Sequence, residues 1–185
     1  MITQCALAPY AKVNSDPTDK AHIYLLRHGE TDLNALGVLQ GSIEEPLNDV
    51  GRRQAQDAAR VLAGLGIERI ISSPQSRARQ TADIVAEMLH LNIEENVLLR
   101  ERDWGIYEGR PIGERNEEGA GVELLANLNA RACQAFESIT GDLAAPCLVV
   151  THSGFIKALL TQLCGHTPDV IHNGEIIQLE PHRNA

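Results

Sequence analysis

Short apolar runs rich in β-branched residues alternate with amphipathic helical patterns along most of this chain, and that alternation restricts the fold more than any other feature. Ala21–Leu26 reads as a buried strand, Arg69–Ser72 as a short one, Ile93–Leu99 as a third and Cys147–Thr151 as a core strand. Glu175–Leu179 reads as the last strand. Between them lie helical patterns. Asn48–Leu65 carries Ala55, Ala58, Ala59, Leu62 and Leu65 on one stripe. Ser73 followed by Pro74 looks like a helix start, with Ala78, Ala82, Val85, Met88 and Leu89 on the face that follows. Leu124–Ile139 is the clearest helix, and another opens near Ser153. Such alternation predicts an α/β fold: a three-layer α/β/α sandwich around a mostly parallel central sheet. Residues 100–121 are rich in glycine and charge without a period and read as loop.

Length and composition fit one such domain. The chain has 185 residues, 43% hydrophobic and 22% charged, and aromatics at only 3% leave aliphatic residues to fill the core. Residues 1–20 are polar and aperiodic and read as a leader or arm; 21–185 read as a single catalytic domain. The net charge of −9 argues against a broadly basic nucleic-acid surface. No apolar run approaches the roughly 20 residues that span a bilayer, and the N-terminus lacks the pattern of a signal peptide. Cys5, Cys133, Cys147 and Cys164 form no close pair, which fits idle thiols in a cytoplasmic protein better than zinc or disulfides.

Ligands of parallel sheets sit at the carboxyl ends of strands. Two strands here end in histidine with glycine close behind: Arg27-His28-Gly29 and His152-Ser153-Gly154. A helix opening after His152 would point free N–H groups at the same place, which suits an anion. A third strand end supplies Ser72-Ser73-Pro74-Gln75-Ser76-Arg77. Two guanidinium forks and two imidazoles converging on one pocket fit a phosphoryl group and would repel a metal cation, so no metal or cofactor is expected. The acidic pairs Glu44-Glu45, Glu94-Glu95 and Glu117-Glu118 read as solvated surface, and Asn173-Gly174 as a turn.

The segment Leu26-Arg27-His28-Gly29-Glu30-Thr31 with Asn34 resembles the first signature of the histidine phosphatase superfamily, also called phosphoglycerate-mutase-like. The resemblance runs on through Gln40-Gly41, Pro46-Leu47 with Gly51 and Gln54-Ala55, then Ser72-Ser73-Pro74 with Arg77-Ala78 and Gln80-Thr81-Ala82. It continues through Leu99-x-Glu101 with Gly105 and Glu108-Gly109, and ends at Val149–Gly154. Five ordered blocks make chance a poor explanation. The resemblance implies that His28 is a nucleophile forming a phosphohistidine. Arg27, Arg77 and His152 would hold the phosphoryl oxygens, with Asn34, Gln40, Gly41 and Ser153 as further substrate contacts. Glu101 matches the proton donor; Asp103 ranks second and Glu108 third. Only 51 residues separate Glu101 from His152, whereas the mutases carry an extra segment there. The acidic block and the Leu124–Ile139 helix, in turn, set the chain apart from the compact forms that act on protein phosphohistidine. The resemblance therefore implies a phosphatase that needs no metal and acts on a small phosphate ester, with no nucleic-acid or membrane partner. A mutase is the first alternative, and a non-catalytic phospho-ligand binding module the second.

Overall fold

The computed structural model describes residues 2–6, 22–141, 143–166 and 168–180. Six strands form one sheet: β1 (Ile2–Ala6), β2 (Ile23–Arg27), β3 (Arg69–Ser72), β4 (Ile93–Glu95), β5 (Cys147–Thr151) and β6 (Ile176–Glu180), in the order β1-β6-β2-β5-β3-β4. Strands β2, β5, β3 and β4 run parallel to one another; β6 runs antiparallel to β2, and β1 pairs with β6 in parallel. The helices are α1 (Asp32–Ala35), α2 (Asp49–Leu62), α3 (Ser76–Leu89), α4 (Leu125–Thr140) and α5 (Ser153–Cys164). This is the expected α/β/α sandwich with a mostly parallel sheet.

The period of two along each strand divides the interior into two cores. Ile23, Leu25, Ile71 and Val149 face α4 and α5, where they meet Leu128, Phe136, Ile156 and Leu159. Tyr24, Leu26, Ile70, Leu148 and Val150 face the other way, against Ala58, Leu62, Ala82 and Val85 of α2 and α3. Both faces of β5 are covered, so CLVVT reads as one unbroken apolar run. Truncating the fully buried Leu148 to alanine would cost about 2–5 kcal/mol.

Several boundaries differ from the sequence reading, each for a local reason. Helix α2 begins where the Asn48 side chain accepts a hydrogen bond from the Gly51 amide at 2.8 Å, a cap worth about 1 kcal/mol. Helix α3 starts at Ser76 with Gln75 as the flanking residue, so Ser73 does not cap it. The expected strand at Ile93–Leu99 stops at Glu95, because Asn96 turns the chain: its side chain accepts from the Leu98 amide and a single 3-10 turn covers Val97–Leu99. Helix α1 carries a reciprocal cap between Thr31 and Asn34 that the hydrophobic period could not reveal. Ile2–Ala6, inside the expected leader, forms the edge strand β1, since β6 offers it a free row of backbone groups. Residues 7–20 of that stretch lie outside the described residues. No helix among the described residues is long and apolar enough to cross a membrane.

Candidate active site

The register of three neighbouring strands builds the site. Arg27 of β2 stands opposite Thr151 of β5, and Ser72 of β3 opposite Val150. The ladder runs one residue further on each side: the His28 amide donates to the Thr151 carbonyl at 3.0 Å and the Ser73 amide to the Val150 carbonyl at 2.9 Å. His28, Ser73 and His152 are thereby delivered side by side at the carboxyl ends of β2, β3 and β5. The two imidazole rings lie 5.0 Å apart between centroids.

His28 is almost fully buried, and its Nδ1 lies 2.7 Å from the Gly29 carbonyl oxygen. A carbonyl can only accept, so Nδ1 carries the proton, and a neutral ring then keeps its lone pair on Nε2. Burial holds the His28 pKa well below the usual histidine range, and Arg77 and Arg27 push it the same way. The ring is a neutral base aimed by its own backbone. His152 is also neutral for the same causes: burial first, then Arg77, His28 and Arg27. Its Nε2 lies 2.8 Å from Ser73 Oγ, while its Nδ1 is buried without a partner. The serine that reads as a helix cap is thus spent on orienting a histidine. Only the juxtaposition of two strand ends reveals that use.

Both arginines reach the site from fixed positions. Arg77 in the first turn of α3 is only 1% exposed. Its two terminal nitrogens donate to the carbonyls of Ile43 and Gly41 at 2.8 and 2.9 Å. Arg27 donates to the Ile171 carbonyl at 2.5 Å. The Nε of each is buried and unpartnered. Burial lowers both guanidinium pKa values while the Glu101 carboxylate raises them, and both remain charged at any ordinary pH.

Glu101 is placed at the start of α5. Its Oε2 accepts from the Gly154 amide at 3.1 Å and its Oε1 from the Arg102 amide at 2.8 Å. A Cβ on Gly154 would sit 2.3 Å from Glu101 Oε1, so only glycine lets the carboxylate come this close. The glycine after His28 has another purpose: a Cβ on Gly29 would lie 2.3 Å from the Gly51 carbonyl oxygen, where two backbones cross. The rival carboxylates lead elsewhere. Asp103 caps the Gly105 amide, and Glu108 ties Ser42 to Trp104 through both its oxygens. Neither lines the cavity at the strand ends.

That cavity has a volume of about 540 Å³. Arg27, His28, Asn34, Gln40, Gly41, Arg77, Glu101 and Ser153 all line it, whereas His152 is fully buried and not among the residues of its wall. Asn34 accepts through Oδ1 from Asn173, whose Nδ2 also reaches the His28 carbonyl at 3.1 Å. Asn173 therefore does more than turn the chain. Gln75 binds the Gly41 carbonyl and the Glu101 amide, and Thr81 accepts from the Gly29 amide at 3.0 Å. Sequence patterns assigned none of these three a place at the site. The acidic pairs read as plain surface also have partners: Glu44 receives the Ser76 amide at the start of α3, Glu94 holds Arg69, and Glu117 holds Arg102 with both oxygens. Among the described residues, no group of three or more His, Cys, Asp or Glu could hold a metal ion.

An α/β/α sandwich thus carries two histidines and Arg27 at adjoining strand ends, with Arg77 set beside them in the first turn of α3. Residues 23–184 match the profile of the histidine phosphatase superfamily (branch 1), and the chain belongs to that family. It is 36% identical over 156 residues to the uncharacterized phosphatase PhoE of Bacillus subtilis, covering 80% of each chain. It is 34% identical over 160 residues to the probable phosphoglycerate mutase GpmB of Yersinia pestis, covering 77% of this chain and 74% of that one. Among solved structures it resembles a mycobacterial glucosyl-3-phosphoglycerate phosphatase bound to VO3. The TM-score is 0.79 at 25% identity, over 88% of this chain and 92% of that one. The family and these relatives support an enzyme of the phosphatase or mutase kind.

Proposed function

We propose that this protein is a phosphatase that hydrolyses a small phosphomonoester through a covalent phosphohistidine on His28. One observation carries the reading: the His28 proton sits on Nδ1 against the Gly29 carbonyl, which leaves Nε2 as a neutral nucleophile under the charge of buried Arg77 and half-buried Arg27.

In the first step Nε2 attacks phosphorus as the bond to the ester oxygen breaks. The Nδ1 proton stays on the ring, donated to the Gly29 carbonyl. Protonated Glu101 gives its proton to the departing alkoxide, which leaves as an alcohol. In the second step water attacks the phosphorus, the carboxylate of Glu101 takes the water's proton, and the N–P bond breaks, returning its electron pair to Nε2 and releasing inorganic phosphate. Arg27 and Arg77 face the charge that spreads over the phosphoryl oxygens, and fixed cations need no reorganisation to do so. His152, held by Ser73 with its ring centre 5.0 Å from that of His28, is the remaining group proposed to support the phosphoryl transfer. Asn34, Gln40, Gly41 and Ser153 line the cavity as substrate contacts.

The test is a trapping experiment. The protein is incubated with p-nitrophenyl phosphate and a chelator, quenched in base, and digested for mass spectrometry. One added phosphoryl group on the peptide of His28, absent in His28→Ala, is the expected result, together with release of free phosphate. Turnover without an adduct at any time point would refute the covalent route. The mutase reading draws on the resemblance to GpmB; it requires the phosphoryl group to be handed to a second phosphoglycerate, so release of free phosphate from all substrates counts against it.

A further inference from the structure

Glu101 stands on chain that belongs to no helix or strand, between a 3-10 turn ending at Leu99 and another opening at Gly105. A proton donor on such chain keeps its place only through individual bonds. Its carboxylate accepts two of them, from the Gly154 and Arg102 amides. Arg131 of α4, paired with Glu123, donates to the carbonyls of Leu98 and Arg100 at 2.8 and 2.7 Å, and at 3.4 Å to that of Glu101. The Glu101 amide in turn donates to Gln75 Oε1 at 2.8 Å.

Gln75 is buried and flanks the start of α3. Its Nε2 donates to the Gly41 carbonyl at 2.8 Å. A backbone amide can only donate and a carbonyl can only accept, so the two partners fix which way the carboxamide points. The same Gly41 carbonyl accepts from Arg77 at 2.9 Å. Three hydrogen bonds therefore run from Arg77 through Gly41 and Gln75 to Glu101, and they set the proton donor against the arginine of the phosphoryl end. Gln75 is not on the wall of the cavity at the strand ends. It lines a second cavity of about 230 Å³, of which Glu101 is also a wall.

We propose that Gln75 is a positioning residue for proton transfer: it holds Glu101 where the departing oxygen can take its proton. The inference rests on the phosphatase reading of the site, with Glu101 as the donor. Gln75 lies between the signature residues Pro74 and Arg77, at a position the resemblance left without a role. Misplacing a donor by about 1 Å costs rate without removing a substrate contact, so the effect falls on kcat and on esters that need the proton. Loss of Gln75 also frees one bond on the Gly41 carbonyl, but whatever that relays to Arg77 falls on all esters alike.

The experiment compares benzyl phosphate, whose alkoxide needs a proton to leave, with p-nitrophenyl phosphate, whose phenolate does not. Both are measured in the native protein, Gln75→Met, Glu101→Gln and the double variant. Methionine has nearly the shape of glutamine and can make neither bond. Gln75→Met should lower the benzyl-to-nitrophenyl ratio of kcat about tenfold, with both KM values within about twofold of native. In the Glu101→Gln background the same change should leave the ratio unmoved, since the donor it places is gone. Each ratio is taken on one preparation, so a loss of folded protein cancels. Gln75→Asn, one methylene too short to span both partners, replaces the methionine variant if that one does not fold. A ratio unchanged by the Gln75 substitution, or lowered equally in the Glu101→Gln background, would overturn the inference and leave the phosphatase reading standing. A ratio unaltered by Glu101→Gln itself would remove the donor and the inference with it. Absence of turnover and of the His28 adduct with both esters would overturn the phosphatase reading as well.

Discussion

The two ends of the cavity are fixed by different means. At the phosphoryl end, His28, Ser73 and His152 stand on adjoining strand ends, and backbone ladders place all three. Arg77 is clamped by two carbonyls. At the leaving-group end, Arg102, Trp104 and Glu117 stand on irregular chain with brief 3-10 turns, tied by side-chain pairs and by isolated bridges between Val38 and Pro111 and between Trp104 and Val122. The backbone of the first end is fixed by the sheet and α3, whereas that of the second rests on side-chain pairs and single bridges. The contrast explains how one scaffold can keep its chemistry while its substrates vary.

Glu101 lies at the border and offers the largest test of the contrast. Glu101→Gln should slow hydrolysis of alkyl phosphates about 10²–10⁴-fold while leaving p-nitrophenyl phosphate, whose alcohol needs no proton, far less affected. Equal slowing of both would remove Glu101 as the donor. Arg77→Ala should cost about 10²–10³-fold in kcat for every ester alike, since it acts on the phosphoryl group and not on what leaves. A loss that depends on the leaving group would blur the division between the two ends. Ser73→Ala should cost about tenfold in kcat with little change in KM, because His152 loses the bond that orients it. An unchanged kcat would show that packing alone holds the ring.

The smallest effect concerns stability. His28 and His152 are held neutral in the fold, with pKa values well below the ordinary 6.5. The unfolded chain takes up protons on both as pH falls below about 6.5 and the folded chain does not, so stability is full above that pH and declines below it. Melting temperatures measured from pH 7.5 down to 5 should fall, and His152→Gln should flatten the slope. A slope unaltered in that variant would place the acid sensitivity elsewhere.

Much of the phosphoryl end was legible in the sequence. Cys147–Thr151 is a continuous apolar run closed by threonine and Arg69–Ser72 sets two isoleucines before serine, and each strand end displays its chemistry in order. Helix α4 differs from its hydrophobic period by one residue at each end. What escaped depends on partners distant in the chain. Ser73 before proline carries the local mark of a cap, and nothing nearby announces His152, 79 residues on. The order in residues 100–121 comes from bonds such as Leu39 to Arg110 and Ile112 to Gly37, which leave no period. The edge strand β1 was hidden for the same reason, since its pairing belongs to β6 at the other end of the chain.

The strand order has a consequence for how the molecule comes into being. Strand β5, made late in synthesis, inserts between β2 and β3, which are made early, and β6 then seals the other side of β2. A nascent chain that has reached residue 140 has Arg27, His28, Arg77 and Glu101, but a sheet with no centre. Its early strands expose unpaired edges until more than a hundred further residues have followed β2 out of the ribosome. The central sheet therefore closes only once β5 has emerged, and the stretch of growth before it is when the chain most needs protection from aggregation.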